Sequence, residues 1–351
     1  MAEEHTTIND LPTPALCNIF RFCEKHSYVA ICCVCRQWLL AFVHSQFPLP
    51  ALKLTAPQPE HHAWLQQFAK RLVRLSLRRV DNLSWITSAS NLQSLHLEEC
   101  RHLEQLSPLP GLPCLSALTL ASCRSLRDLS SLRHVQLTAL TIDRCFARDL
   151  TPLSGHPTLQ ELYLGYDVWV VMGLQLPEHL PALRRLRISS AIQDLSPLAA
   201  FTSLQELEVF AVSVYDISPL SCLTNLQELD LHQLQEDQLP LDALGPLAVL
   251  SSLRCLGLQG CDASIAQHCP WHCFLQLTRV DLHGSCVSDL APLQAVSGLA
   301  SLDLTEAREL VSLAPLSRLA GLSELVLTGC RKVADLRPVL HIMQAGGLRK
   351  P

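Results

Sequence analysis

The chain has 351 residues and a formal net charge of −5, and it is 48% hydrophobic but only 5% aromatic. This balance excludes wholesale disorder and gives no electrostatic reason to bind nucleic acid or an anionic membrane. The low aromatic content also argues against a surface on which bases stack. The length suits two ordinary domains or one long solenoid.

The first ten residues, MAEEHTTIND, lack the basic and apolar regions of a secretory signal. The longest apolar run, residues 28–43, contains Arg36 and Gln37 and is too short and too polar to span a bilayer. We therefore expect a soluble intracellular protein, cytoplasmic or nuclear. Its 16 cysteines are expected to be reduced rather than paired in disulfides.

Residues 8–54 do not repeat and predict three short helices. In the first helix, Leu16, Ile19, Phe20 and Cys23 follow the spacing i, i+3, i+4, i+7 of an apolar stripe. Ser27 can cap the second helix, and the third runs through the apolar residues that follow it. Three short helices in about 40 residues cannot enclose a full core. Either the rest of the chain or another protein must cover part of their surface.

The stretch LPTPALCNIFRF followed by VAICCVCRQW resembles an F-box. The matching positions are Leu11, Pro12, Leu16, Ile19, Phe20, Val34, Cys35, Arg36 and Trp38. The resemblance implies binding to the Skp1 adaptor of cullin–RING ubiquitin ligases, with the following repeats recruiting a protein substrate. It also implies that these residues, Arg36 apart, contact the adaptor. The alternative is an apolar cap that only shields the first repeat.

Residues 51–71 are predicted to connect this module to the repeats as a strand and a helix that form an N-terminal cap. Trp64, Phe68 and Leu72 are four residues apart and would share one helix face.

From Leu72 onward the pattern LxxLxLxxC, or a close variant, recurs at steps of 20 to 27 residues. Its copies open at Leu72, Leu92, Leu115, Leu137, Leu159, Leu183, Leu204, Leu226, Leu253, Leu277, Leu299 and Leu322. This is the signature of leucine-rich repeats. The LxL part predicts a short strand with inward leucines, and stacking of the copies predicts a parallel sheet along a concave side.

A second motif lies between these strands, as DLTPL from residue 149, DLSPL from 194, DISPL from 216 and DLAPL from 289. The proline disfavours a helix for the residue before it, and the last leucine returns to the core. This half resembles the short repeats of internalins, which implies 3₁₀ turns in place of full helices. The predicted fold class is α/β: a leucine-rich-repeat solenoid with a curved parallel sheet and a short 3₁₀ or helical convex side, preceded by a small three-helix F-box-like module.

Five cysteines occupy one repeat position, three residues after the second strand leucine: Cys100, Cys123, Cys145, Cys261 and Cys330. We expect small buried thiols that pack in a ladder. The segment CDASIAQHCPWHC, residues 261–273, brings cysteines and histidines close together and could ligate zinc. Because the C-x-x-C spacing is absent, a structural or solvent-facing loop is the preferred interpretation. The long step after Leu226 predicts a longer convex insert. At the other end, AGGLRKP stops where another repeat could open at Leu348. Because the sequence shows no polar capping unit there, an incomplete sequence is one interpretation.

Residues between the paired strand leucines should face outward, where solenoids usually contact ligands. The centre is acidic with exposed aromatics, while Arg74, Arg78 and Arg79 make the first repeat basic. We expect a basic or positively flanked protein segment as ligand, and the alternative is a solvated sheet that binds nothing in particular. The candidate substrate-binding residues are Tyr163, Tyr166, Arg187, Glu208, Phe210, Asp230, His232, Asp281 and Asp303.

No nucleophile elbow, glycine-rich phosphate loop or HExxH motif occurs, and we expect neither catalysis nor a cofactor nor a metal. The expected domains are the F-box-like module at residues 1–50, the connecting cap at 51–71 and about 12 repeats at 72–351. The function indicated is the substrate-recognition subunit of an SCF-type ubiquitin ligase. A free-standing interaction scaffold is the alternative, and an extracellular adhesin is disfavoured by the missing export signal.

Overall fold

The computed structural model describes residues 51–55, 66, 69–147, 149–165, 176–189, 194–210, 214–232, 243–262, 266–344 and 347–349. The F-box-like segment, with the predicted adaptor-binding residues from Leu11 to Trp38, lies outside these residues. So do Trp64 and Phe68 of the connecting segment and Tyr166 of the candidate binding residues.

The described residues form a parallel sheet of 14 strands that lie side by side in chain order. The strands are β1 (Leu52–Thr55), β2 (Arg74–Arg78), β3 (Ser94–Glu98), β4 (Ala117–Ala121), β5 (Ala139–Asp143), β6 (Glu161–Leu164), β7 (Arg185–Ile188), β8 (Glu206–Phe210), β9 (Glu228–His232), β10 (Cys255–Gly257), β11 (Arg279–Asp281), β12 (Ser301–Asp303), β13 (Glu324–Val326) and β14 (Leu348–Arg349). Each predicted copy of LxL contributes one strand, so the predicted solenoid is confirmed.

The repeat leucines set the register of the sheet. In β3, Leu95 and Leu97 are fully buried while Ser94, His96 and Glu98 are partly exposed. Because side chains alternate along a strand, this pattern directs one leucine pair per repeat into a continuous core. Burial of one leucine side chain is worth about 1.5–3 kcal/mol before entropy is counted, and each strand gains it only when its neighbours are stacked.

In the described residues a 3₁₀ turn, as expected, lies between most pairs of successive strands. Such turns occur at Ala69–Arg71, Ser84–Ser88, Leu109–Gly111, Ser130–His134, Thr151–Leu153, Ser196–Ala200, Ser218–Cys222, Gly245–Val249, Trp271–Cys273, Ala291–Ala295, Ala314–Arg318 and Arg337–Val339. A short α-helix, α1, spans Leu340–Gln344. The leucine after the proline, such as Leu198 or Leu220, is fully buried.

The aspartate of the DLSPL-type motif caps the 3₁₀ turn, a role that the sequence analysis missed. The backbone N–H of Ser196 donates to Oδ1 of Asp194 at 2.8 Å, and Ser218 donates to Asp216 at the same distance. In an early repeat Asn82 replaces the aspartate and accepts from the N–H of Ser84 at 2.6 Å. The recurrence of Asp two residues before the turn was the available signal, since short polar side chains satisfy the first N–H groups of a turn.

All five ladder cysteines are buried, as predicted. Each thiol contacts the carbonyl oxygen of the second leucine in an earlier strand, for example Cys123 Sγ with Leu97 O at 3.6 Å and Cys145 Sγ with Leu120 O at 3.6 Å. The residue before each cysteine is left-handed, with φ of 57° at Ser122 and 78° at Gly329. The residue after such a turn is buried in other repeats too, as Val80, Ser285 and Ala307 are.

Both edges of the sheet extend beyond the predicted copies. At one edge, Leu52 and Leu54 of β1 pair with Leu75 and Leu77 of β2. At the other edge, Leu348 lies beside Leu325, the first strand leucine of its repeat. The expectation that Leu348 opens a repeat is therefore wrong. Leu348 corresponds to Leu325, which lies three residues after the opening leucine of its repeat, Leu322.

Residues 266–274 of the cysteine- and histidine-rich segment are structural. Cys269, Trp271 and Phe274 are buried, and Trp271 Nε1 donates to the carbonyl of Ala266 at 2.9 Å. The two aromatic rings meet edge to face, with centroids 6.4 Å apart. The segment thus fills the core of its repeat, whereas His268 and His272 are exposed.

Candidate functional site

The exposed face of the sheet carries one row of aligned side chains, one per strand, which we call the central row. It runs Ser76, His96, Thr119, Thr141, Tyr163, Arg187, Glu208, Asp230, Gly257, Asp281, Asp303 and Val326. The alignment is the one the sequence predicts. Two flanking rows lie on the same face, two residues before and two residues after the central row on each strand.

The structure brings most of the candidate residues together across β6 to β11. Tyr163, Arg187, Glu208, Asp230 and Asp281 belong to the central row. Phe210 and His232 pair with each other in the flanking row after it. Asp303 lies one strand farther, on β12, where its Oδ1 accepts the backbone N–H of Thr305 at 2.8 Å.

Arginines neutralise the acidic residues of β6 to β8. Arg185 lies between Glu161 and Glu206, with nitrogen–oxygen distances of 2.6 and 2.8 Å. Arg187 binds Glu208 at 2.9 Å, and its guanidinium lies 5.4 Å from the centroid of the Tyr163 ring. These groups line a cavity of about 390 Å³ that spans β5 to β9. The sequence analysis missed Arg185, although its alignment with Glu161 and Glu206 in one flanking row was a usable signal.

The basic surface predicted for the first repeat is also partly compensated. Arg78 and Arg79 both bind the carboxylate of Glu99, Arg79 at 3.0 Å. Arg78 in addition lies 4.0 Å from Glu98. Of the three arginines expected to make the first repeat basic, Arg78 and Arg79 are thus paired with carboxylates, whereas Arg74 is exposed.

Asp230 lacks such a partner and lies against an acidic neighbourhood. Its side chain occupies the space over Gly257, where a Cβ atom would come within 1.8 Å of Asp230 Oδ1. Burial raises the pKa of Asp230 to about 6, and the charges of Asp281, Glu208 and Glu228 add to the rise, while Arg279 opposes it. The carboxylate thus leans across a strand that has no side chain at this position, toward Asp281.

Asp281 on the far side of Gly257 is held by two donors. The amide Nε2 of Gln259 donates to its Oδ2 at 2.8 Å, and the backbone N–H of His283 donates to its Oδ1 at 2.9 Å. These bonds fix the carboxylate without adding a positive charge.

Phe210 and His232 form a stacked pair beside these carboxylates. Their ring centroids lie 4.3 Å apart and their planes differ by 5°. His232 is only 9% exposed, and burial lowers the pKa of its imidazole, with Glu208 and Asp281 opposing and Arg187 adding to the shift. The pair lines a second cavity of about 520 Å³ that spans β7 to β11.

Within the described part of the chain, no group of three or more His, Cys, Asp or Glu residues is placed to hold a metal ion. In the same residues no helix is both long and apolar enough to cross a membrane. The described side chains of the sheet face offer charge, hydrogen bonding and ring stacking.

Residues 8–47 match the family model of the F-box domain. No curated protein sequence matches the chain. Among solved structures, an internalin from Listeria monocytogenes superposes with a TM-score of 0.52 at 21% identity, over 81% of this chain and 88% of that chain. A leucine-rich-repeat protein from Leptospira interrogans gives a TM-score of 0.49 at 16% identity, over 85% of this chain and 81% of that one.

The internalin similarity supports the fold of the described residues, in line with the 3₁₀ turns that the motif predicts. F-box domains and leucine-rich repeats are typically interaction modules without catalysis. The chain thus combines a segment that matches the F-box domain, residues 8–47, with a leucine-rich-repeat solenoid behind it.

Proposed function

We propose that this protein is the substrate-recognition subunit of an SCF-type cullin–RING ubiquitin ligase. In this proposal the F-box binds a Skp1-like adaptor, which links the chain to cullin and RING subunits. The repeats hold a protein substrate against the exposed sheet face. Such a role needs no catalysis by the chain itself, and it implies action in the cytoplasm, the nucleus or both.

The observation that carries the proposal is the joining of an F-box match to a solenoid that begins within a few residues of it. The match ends at residue 47, and β1 begins at Leu52. A linkage this short favours a fixed rather than a free orientation of substrate and adaptor, because so few residues span little distance. The proposed division is the F-box module at residues 1–50, the cap at 51–71 and the repeats from 72.

The sheet face suits a protein ligand better than a small molecule. Its two cavities are open and are lined by charged side chains, and they lie along one row that crosses many strands. Small-molecule sites are usually enclosed and mostly apolar. Partly exposed aromatics and arginines in a polar setting are the side chains that anchor protein interfaces.

The test is capture of purified Skp1 by the full chain. We expect stable co-purification of the wild type and loss of at least about tenfold in affinity for Leu11→Ala/Pro12→Ala, since two apolar contacts at an interface centre are worth more than 1 kcal/mol. Thr6→Ala/Thr7→Ala, just before the matched segment, is the control and should retain capture. Failure of the wild type to bind Skp1, or equal binding by the Leu11/Pro12 variant, contradicts the proposal and favours the scaffold alternative.

A further inference from the structure

The charges of the sheet face are distributed unevenly. On β6 to β8 each described arginine of the face lies against a carboxylate, as Arg185 does with Glu161 and Glu206. On β9 to β11 the acidic residues Glu228, Asp230 and Asp281 have no cation within ion-pair distance among the described residues. The second region therefore carries an excess of negative charge, which Arg279 on β11 offsets only from beyond ion-pair distance.

The placement of Asp230 has a cost that internal packing does not explain. The side chain is half-buried over Gly257 and is repelled by Asp281, Glu208 and Glu228. A protein keeps a carboxylate in such a position at the expense of stability, and groups of this kind cluster at functional sites. The carboxylate of Asp230 itself fills the space over Gly257, which brings it toward Asp281.

A buried polar atom points independently to a ligand at the same place. His232 lines the cavity of about 520 Å³ together with Asp230, and its Nε2 is buried and makes no hydrogen bond. Glu208 Oε1 lies 3.4 Å from Nε2 and also binds Arg187 at 2.9 Å. An unsatisfied buried nitrogen costs about 1–3 kcal/mol unless a partner reaches it. When the imidazole is neutral and protonated on Nδ1, Nε2 is an acceptor, and a donor reaches it from the cavity once the ring turns outward.

We propose that Asp230, Asp281 and His232 form a pocket that receives one lysine or arginine side chain of the protein segment bound across the sheet face. This inference rests on the proposed function, because it names the chemistry by which that surface selects its substrate. The cation compensates the two aspartates on either side of Gly257 and lies beside His232 in the cavity. The adjoining Phe210 ring offers apolar contact to the methylene stem of the incoming side chain.

The experiment uses the full chain and four synthetic peptide libraries, each with a random flanking sequence and one fixed central residue: lysine, arginine, norleucine or glutamate. We expect the lysine and arginine libraries to be retained about tenfold more than the norleucine library, which corresponds to about 1.4 kcal/mol. This preference should disappear in Asp230→Asn/Asp281→Asn and weaken with added salt.

Asp143→Asn is the matched control. Asp143 also lies over a glycine of the next strand, since a Cβ on Gly165 would come within 2.1 Å of its Oδ1, but Arg144 lies 4.0 Å from its carboxylate. This variant should keep the full preference. Equal retention of the four libraries, including no retention of any, overturns the pocket, as does a preference that survives the double substitution.

Skp1 capture, measured on the same preparations, separates this inference from the proposed function. Capture of Skp1 without a lysine or arginine preference overturns the pocket alone. A preference without Skp1 capture supports the pocket and overturns the ligase function.

Discussion

The imidazole of His232 stacks on the ring of Phe210, with centroids 4.3 Å apart and planes 5° apart. The two residues are 22 positions apart in sequence and become neighbours because β8 and β9 pair in register. The stack removes the imidazole from water, and burial accordingly lowers the pKa of His232. The stack with Phe210 therefore sets the orientation of the His232 ring beside the cavity.

Phe210→Ala should therefore raise the pKa of His232 toward the usual value of 6.5. In the wild type the folded state favours the neutral imidazole, so the stability associated with it is present above the unfolded pKa and is lost as the pH falls from that value through the lower folded pKa. NMR titration of the ring protons, assigned with His232→Gln among the 15 histidines, measures the shift. Phe210→Leu, which keeps an apolar cover, should change the pKa less. An unchanged pKa in Phe210→Ala contradicts the assignment of the shift to burial under this ring.

Asp230→Asn should stabilise the protein at neutral pH. The folded pKa of about 6 lies above the ordinary 3.8, so the native state binds the extra proton between these values and wild-type stability falls as the pH rises from about 4 to 6. One pKa unit is worth about 1.4 kcal/mol, and partial exposure reduces the expected gain to about 1–2 kcal/mol.

Urea unfolding of wild type and Asp230→Asn from pH 4 to 8 checks this expectation. The difference in unfolding free energy should be near zero at pH 4 and largest above pH 6. A variant that is less stable than the wild type at pH 7 means that Asp230 is held by favourable contacts, contrary to its repulsion by Asp281, Glu208 and Glu228.

The sequence was sufficient for the register of the sheet because leucine spacing alone determines which residues align. The central row from Ser76 to Val326 follows from that spacing. The same alignment places Phe210 beside His232 and Arg185 between two glutamates. Neither contact was predicted, because only the residues of the central row were compared between neighbouring strands.

Other features of the site depend on side-chain directions that a pattern cannot supply. Asp230 leans over Gly257 because that glycine has no side chain on the adjacent strand. The pKa of Asp230 is then raised by burial and, to a smaller extent, by the charge of Asp281. The alignment identifies Gly257 as a neighbour but does not say which side chain fills the gap. The sequence thus predicts that acidic residues occupy the centre of the face. It does not predict that those on β6 to β8 pair with arginines, whereas the described acidic residues on β9 to β11 form no ion pair.

Asp194→Ala should destabilise the repeat by about 1 kcal/mol, whereas Asp194→Asn should be tolerated. The carboxylate accepts the N–H of Ser196, and its bonds to the Ser196 side chain and backbone lower the pKa of Asp194. Alanine leaves that N–H without its cap, which typically costs about 0.5–2 kcal/mol. Asparagine keeps an accepting oxygen, as Asn82 does for Ser84. Equal destabilisation by both substitutions, measured by urea unfolding at pH 7, would indicate that the charge rather than the cap matters.

Cysteine alkylation should separate exposed from ladder thiols. Cys114, Cys222 and Cys286 are exposed and should react with N-ethylmaleimide in minutes. The ladder cysteines should react only on unfolding, because a raised pKa leaves little reactive thiolate. Contact with Cys123 and burial raise the pKa of Cys100, and burial raises the pKa of the core thiol Cys269. Peptide-resolved mass spectrometry over a time course measures each rate. Reaction of Cys123 or Cys145 as fast as Cys114 in the folded protein contradicts the buried ladder.

Gly257→Ala tests whether the missing side chain is what allows Asp230 to lie across β10. The new Cβ would meet Asp230 Oδ1 at 1.8 Å, and the nearest backbone atom, the Cα of Asp230, lies 3.5 Å away. The carboxylate should therefore swing outward into solvent at little cost in stability. Its pKa should fall toward 3.8, and the fall in stability between pH 4 and 6 should flatten.

Gly111→Ala is the control, because nothing lies within 4 Å of a Cβ placed there. It should leave the pH dependence of stability as in the wild type. If Gly257→Ala keeps the wild-type slope while Asp230→Asn removes it, the raised pKa of Asp230 arises from the surrounding carboxylates alone. Gly257 would then have no part in shaping the pocket. Asp230 and Asp281 would repel each other whichever rotamer the Asp230 side chain adopts.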